Sequence, residues 1–270
     1  MVSELDSDFP TTVNGYEVKT WADILRFPSI IMLAGRRRQG KSACGYYLLE
    51  LARRMFDVDA YVKGLVKEKW NLLPDFIHPL DPKEPDLPDD AAIFLDEAAM
   101  FYYAREFGTT ENKAMSILLS ISGQKNQLLI FATHYTRKID IDVITDVDVL
   151  GYKRPGMMYK HFERPEMRKL VDKIYNAFKS LPFSDEEKKR YTYVIADDAD
   201  FEGFVINPLP SFWSQDLSEA FAGVKIEDIL ELKRGRRSRI KEPKPNEPKI
   251  PMWKKMLDEI AEKSDTEHGL

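Results

Sequence analysis

Three uninterrupted apolar runs of strand length stand out along the chain: Ser29 to Ala34, Ala91 to Leu95 and Gln127 to Thr133. A run without polar alternation is what a strand covered on both faces requires. Between and around these runs, the apolar-rich stretches Ser42 to Phe56 and Lys113 to Ile121 have helical length, and Val58 to Val62 and Asp75 to Leu80 give weaker strand signals. Strand and helix segments in alternation predict an α/β fold with a mostly parallel sheet flanked by helices. Further on, Met167, Leu170, Val171, Ile174 and Phe178 recur at three- and four-residue spacing behind Pro165, the stripe of a surface helix with proline in its first turn. Ser184 with Glu187 has the spacing of a capping box. Tyr191 to Ala196 and Gly203 to Ile206 read as a late hairpin closing the sheet edge.

Breakers and charge runs divide the chain. Residues 1–28 form a lead-in bounded by Pro10 and Pro28, with a helical turn from Trp21 to Phe27. Residues 29–232 make the α/β domain, interrupted by a proline-rich acidic surface loop from Pro79 to Asp90. Residues 233–250 are a basic, proline-broken linker, in which Lys233, Arg234, Arg236, Arg237, Arg239 and Lys241 fit solvated surface or phosphate contact equally. In residues 251–270, Trp253, Met256, Leu257 and Ile260 fall on one face of a short amphipathic tail helix, which needs a neighbouring subunit or partner protein to cover it.

With 270 residues, 43% of them hydrophobic and 31% charged, the chain has room for one such domain and no second large one. No apolar run reaches the roughly 20 residues of a membrane span, and the start MVSELDSDFP lacks the apolar segment of a signal peptide. The expectation is therefore a cytoplasmic protein, or a virion-associated one if the chain is viral. The single cysteine, Cys44, excludes an internal disulfide and a cysteine-cluster metal site. A net charge of −5 disfavours wholesale coating of nucleic acid but leaves room for local basic patches.

Chemistry concentrates where the apolar runs end. Behind Ser29–Ala34 comes Gly35-Arg36-Arg37-Arg38-Gln39-Gly40-Lys41-Ser42-Ala43, which fits the Walker A template of two glycines four residues apart followed by Lys and Ser. The glycines let the backbone N–H groups wrap an anion at a helix N-terminus, Lys41 reaches the β- and γ-phosphates of ATP, and Ser42 holds Mg²⁺. The three arginines occupy variable positions, where a nucleic-acid clamp and the filler of a phosphate-binding turn both fit. Ile93-Phe94-Leu95-Asp96-Glu97 has the form of a Walker B strand. Asp96 binds Mg²⁺ directly or through water and Glu97 polarises the attacking water. A glutamate directly after that aspartate points to ATP hydrolysis rather than transfer to a small molecule. It belongs to motor-like ATPases with an added strand between the two motifs, for which the chain between Phe56 and Pro88 has room. The third run ends in Thr133-His134, where His134 fits either a γ-phosphate sensor or a structural histidine.

Taken in order, "GRRRQGKS", "IFLDEA", the helix with "SGQKN" and "LLIFATHYTRKIDIDVI" resemble the HerA/FtsK superfamily of RecA-like DNA-pumping ATPases, notably its small viral genome-packaging members and the Zot-like phage-assembly ATPases. The resemblance covers about Ser29 to Lys153, and His134 departs from the Gln or Asn usual there. It implies a RecA-like P-loop core, DNA translocation coupled to ATP hydrolysis, double-stranded DNA and a capsid or assembly protein as partners, and a homo-oligomeric ring, usually a hexamer, with nucleotide at subunit interfaces. Lys125 lies near the family's trans-acting arginine position, with Arg105 and Arg137 as competitors. Met100, Phe101, Tyr102, Tyr103 and Phe107 fit a core or subunit contact first and a base-stacking pore second. ATP-driven export or assembly of a protein, and a nucleotide switch that does not hydrolyse, are the alternative activities.

Overall fold

In the computed structural model, residues 11–81, 86–96, 111–134, 136 and 139–218 are described. The strands are β1 (Thr12–Val13), β2 (Tyr16–Thr20), β3 (Ser29–Ala34), β4 (Asp59–Lys63), β5 (Ile77–Leu80), β6 (Ala91–Leu95), β7 (Leu128–Thr133), β8 (Val149–Tyr152), β9 (Tyr191–Ala196) and β10 (Phe201–Ile206). They form one sheet in the order β1-β2-β10-β9-β8-β3-β7-β6-β4-β5. From β8 through β5 every pairing is parallel, while β9 is antiparallel to both its neighbours and β1 to β2. The α/β class and mostly parallel sheet read from the sequence are what the structure has. The helices are α1 (Trp21–Ile24), α2 (Lys41–Phe56), α3 (Glu111–Ser122), α4 (Ile141–Thr145), α5 (Met157–Phe162), α6 (Pro165–Ser180) and α7 (Gln215–Ser218).

Successive side chains of the central strands point to opposite faces, so each strand feeds two cores. Met32, Ile93, Leu95, Leu129 and Phe131 pack with Met115 of α3, Val143 of α4 and Val171 and Phe178 of α6. On the other face Ile31, Leu33, Phe94, Leu128 and Ile130 pack with Trp21, Ile24 and the α2 residues Leu48 and Leu49. The α6 stripe buries Met167, Val171, Ile174 and Phe178, as its spacing requires, with Pro165 in the first turn. Ser184 and Glu187 form the anticipated reciprocal cap, Ser184 N donating to Glu187 Oε2 at 2.9 Å and Glu187 N to Ser184 Oγ at 3.3 Å.

The late hairpin β9–β10 forms, yet β10 is not an edge strand. Residues of the lead-in cover it, with Val18, Lys19 and Thr20 of β2 pairing parallel to Phe204, Val205 and Ile206. A buried polar knot ties this addition to the centre. Asn207 Oδ1 accepts from Trp21 Nε1 at 2.5 Å, Thr192 Oγ1 at 2.9 Å and Cys44 Sγ at 3.3 Å, and Asn207 Nδ2 donates to Arg190 O at 2.9 Å. Cys44, on the buried face of α2, has its thiol pKa raised by desolvation and behaves as the small packed residue its sequence context suggests.

Candidate functional site

All the parallel central strands present their C-terminal ends at one edge, and the motif residues collect there. β3 runs into Gly35, at φ 137°, and the turn passes through Arg38 at φ 59° to Gly40 at φ 81°, which caps the N-terminus of α2. Three left-handed residues within six positions coil the backbone tightly, at two of them through glycine as the motif requires. The coil closes over Lys41: its Nζ donates to Gly35 O at 2.8 Å and Arg36 O at 3.2 Å, and the residue is buried. Ala43 is buried behind it, Gln39 is half-buried, and Arg36, Arg37 and Arg38 are exposed at the rim.

The helix start and the acid-ended strand meet. Ser42 Oγ donates to Asp96 Oδ2 at 3.3 Å, and Asp96 N is anchored by donation to Lys63 O at 3.1 Å. The approach depends on Gly45, because a Cβ there would lie 2.4 Å from Phe94 Cε2. Tyr46, one residue on, lies close enough to Asp96 that burial first and that carboxylate second raise its phenol pKa. A hydroxyl and a carboxylate oxygen side by side suit Mg²⁺, a hard cation that takes oxygen ligands and usually keeps one or two protein groups, phosphates and water. Among the described residues no cluster of three or more His, Cys, Asp or Glu forms a richer metal cage.

β7 lies between β3 and β6, so its end falls between the loop and Asp96. His134, directly after it, sits at the loop: Lys41 Nζ lies 2.7 Å from His134 Nδ1. An ammonium can only donate, so Nδ1 accepts and the ring proton is on Nε2. The His134 carbonyl in turn accepts from the Tyr159 hydroxyl of α5. Beyond it, Thr136 Oγ1 donates to the buried Glu163 Oε2 at 2.6 Å, and Arg164 donates to Thr136 O at 2.6 Å, pinning the post-β7 loop to the α5–α6 junction.

Lys125 is elsewhere. It precedes β7, at the opposite sheet edge from the loop, and bonds Asp89 Oδ1 at 2.6 Å and Leu87 O at 3.2 Å within its own chain. Glu97, Arg105 and Arg137, the aromatic stretch Met100 to Phe107, and the linker and tail helix from residue 233 lie outside the described residues. No helix among the described residues is long and apolar enough to cross a membrane.

One residue that the sequence left unmarked stands under the loop. Lys153, directly after β8, is 1% exposed, and its Nζ donates to Lys189 O at 3.0 Å and Tyr191 O at 3.4 Å. Burial pulls its pKa down to about 8. The only available signal was position: a lysine ending the short apolar run Val149 to Tyr152.

No protein-family profile matches the chain, and no curated protein matches it in sequence. Solved structures do. The genome packaging NTPase B204 from Sulfolobus turreted icosahedral virus 2 in complex with sulfate is 12% identical, covering 67% of this chain and 98% of that one, with a TM-score of 0.45. The same protein with AMPPCP is 13% identical, covering 68% and 99%, with a TM-score of 0.44. EssC (ATPases 2 and 3) from Geobacillus thermodenitrificans is 12% identical and covers 76% of this chain and 44% of that one, with a TM-score of 0.42. By its own strand order, with β7 inserted between the loop strand β3 and the acid-ended strand β6, the chain has a RecA-like P-loop fold, a mostly parallel sheet flanked by helices.

Proposed function

We propose that the chain is a Mg²⁺-dependent ATPase that couples hydrolysis to movement of double-stranded DNA as a ring of identical subunits, in viral genome packaging. The observation that carries the ATPase reading is the meeting of Ser42 with Asp96 at 3.3 Å, beside a glycine-bounded loop closed over Lys41. Two sequence segments far apart along the chain have no structural need to bring a hydroxyl and a carboxylate to the mouth of such a loop. Nucleotide binding with metal supplies one.

In this reading the backbone N–H groups of Gly35 to Ser42 receive the phosphates at the start of α2. Lys41 exchanges its carbonyl partners for phosphate oxygens, a move of its flexible stem that leaves the loop in place. Ser42 and Asp96 hold Mg²⁺, which when bound offsets charge on the phosphates. Glu97 orients and deprotonates the attacking water. His134, released as Lys41 turns to the nucleotide, reports its state through its carbonyl's bond to Tyr159 and so to α5. A cation from the neighbouring subunit completes the site, with Lys125, Arg105 and Arg137 as the candidates. DNA as cargo rests on the family resemblance and on the exposed Arg36, Arg37 and Arg38.

The test is steady-state phosphate release by the purified full chain with Mg²⁺, with and without double-stranded DNA. DNA-stimulated turnover is expected. Turnover indifferent to DNA transfers the work to a protein cargo, and tight ATP binding without turnover makes the chain a switch.

A further inference from the structure

Lys153 has a position that the nucleotide reading does not use. Its backbone N donates to Ala34 O at 2.8 Å, and a Cβ on Gly35 would lie 2.7 Å from Lys153 O and 2.8 Å from Lys153 Cβ, so the first glycine of the loop rests directly on this residue. At the loop's other end, a Cβ on Gly40 would lie 4.0 Å from Lys153 Nζ and 3.5 Å from Lys189 O, the carbonyl to which Nζ donates. One side chain therefore runs beneath the loop from the first glycine to the last.

The ammonium at its tip has only backbone carbonyls for partners, Lys189 O and Tyr191 O; no carboxylate pairs with it among the described residues. The charged and titratable groups on the elements packed around it are Arg36 and Lys41 of the loop, Cys44 of α2, Tyr191 of β9, and Asp185, Glu186, Glu187, Lys188, Lys189 and Arg190 of the turn before β9. Of these Asp185 is paired with Arg154, Glu186 with Lys189 and Glu187 with Ser184, and the Cys44 thiol is held neutral by burial. A fully buried cation without a counter-charge is costly. A bound anion on the loop's upper side supplies that counter-charge.

We propose that Lys153 is a positioning residue for phosphate binding: its buried ammonium forms the floor of the loop between Gly35 and Gly40 and adds positive charge beneath the phosphates without touching them. The inference rests on the reading that Gly35 to Ser42 binds a nucleotide. It predicts linkage between affinity and the protonation of Lys153, whose pKa burial lowers from the ordinary lysine value of 10.5 to about 8. Phosphate favours the charged amine, so affinity falls as pH rises through that value. The sign for stability is opposite. A lysine whose pKa is lowered on folding leaves more protons on the unfolded chain between those two values, so through this group the nucleotide-free fold gains stability as pH rises. Unfolding therefore does not imitate the predicted loss of binding.

The experiment is ADP binding to the full chain by calorimetry, in EDTA so that metal ligation does not enter, from pH 7 to 9.5. Wild type is expected to weaken roughly five- to tenfold between pH 7.5 and 9, the shift from a single linked proton. Lys153→Met is expected to bind several-fold more weakly at pH 7.5, with a flat profile. Lys153→Arg, which keeps its charge throughout, should also be flat, at an affinity above that of Lys153→Met. A flat wild-type profile overturns the inference, and so does a folded Lys153→Met with wild-type affinity and slope. Should circular dichroism find Lys153→Met unfolded, the wild-type profile decides alone. Absence of ADP binding at every pH refutes the nucleotide reading itself, and this inference with it; a flat profile with intact binding refutes only the inference.

Discussion

Replacing Gly45 by alanine tests whether the seating of α2 on β6 sets the site. In an exposed helix, glycine to alanine gains about 1 kcal/mol from helix propensity. Here the new Cβ would lie 2.4, 2.5 and 2.7 Å from Cε2, Cζ and Cδ2 of Phe94, about 1 Å inside ordinary carbon contact. The Phe94 ring cannot retreat cheaply: it is fully buried, with Tyr46 edge-on at 5.4 Å. Forcing a methyl group into a packed core costs about 1–3 kcal/mol, which outweighs the propensity gain and leaves a net loss of about 1 kcal/mol. Because Gly45 is one turn from Ser42 and Phe94 two residues from Asp96, the same shift separates the pair now 3.3 Å apart, so nucleotide affinity with Mg²⁺ falls as well. The assay is urea unfolding of wild type, Gly45→Ala, Phe94→Leu and the double variant. The smaller leucine should relieve the clash, giving a favourable coupling of about 1 kcal/mol in the cycle. Gly123→Ala is the control, since nothing lies within 4 Å of its added Cβ, and it should lose no stability. Gly45→Ala as stable as wild type, or additive with Phe94→Leu, refutes the close-approach argument.

Three further outcomes follow from the same picture. Asn207→Ala removes the acceptor of Trp21 Nε1 and Thr192 Oγ1 in a buried setting, at about 1–3 kcal/mol per stranded donor, so denaturant unfolding should register a loss of about 2–6 kcal/mol; a loss below about 1 kcal/mol contradicts the knot's role. If a neighbouring subunit completes the site, inactive Lys41→Ala protein mixed with an inactive variant of Lys125, Arg105 or Arg137 should regain ATPase activity, and full activity in all three single variants removes the trans cation. Ending the chain after Leu232 should leave ATP binding intact and flatten the salt dependence of DNA affinity, each lost phosphate contact removing about one unit of log–log slope; an unchanged slope assigns the basic run to solvation and turns attention to Arg36, Arg37 and Arg38.

The centre of the sheet was legible because its physics is local. β3, β6 and β7 are buried on both faces and therefore read as unbroken apolar runs, and the loop between β3 and α2 needs glycine where the backbone turns left-handed, at Gly35 and Gly40. α6 announced itself through one apolar face and Pro165. β8 did not, because Val149 to Tyr152 is only four residues long and flanked by charge, and its strand character comes from pairing with β3 and β9. β1 and β2 were hidden in the lead-in for the same reason: a five-residue segment such as Tyr16 to Thr20 is a strand only because β10 offers it an edge. At the site, the motif spacing marked Lys41, Ser42 and Asp96, which the fold brings together. It could not mark Lys153 or Tyr159, since a lysine in Gly-Tyr-Lys-Arg-Pro-Gly looks solvated until the carbonyls of Lys189 and Tyr191 close over it.

The central claim is that this loop and acid pair form an ATP-hydrolysing site, and the most direct measurement compares ATP binding and phosphate release for wild type, Lys41→Ala and Glu97→Gln with Mg²⁺ present. The account predicts that Lys41→Ala loses nucleotide binding, while Glu97→Gln keeps binding and loses turnover by orders of magnitude, because one residue holds phosphate and the other activates water. Wild-type turnover in both variants would contradict it.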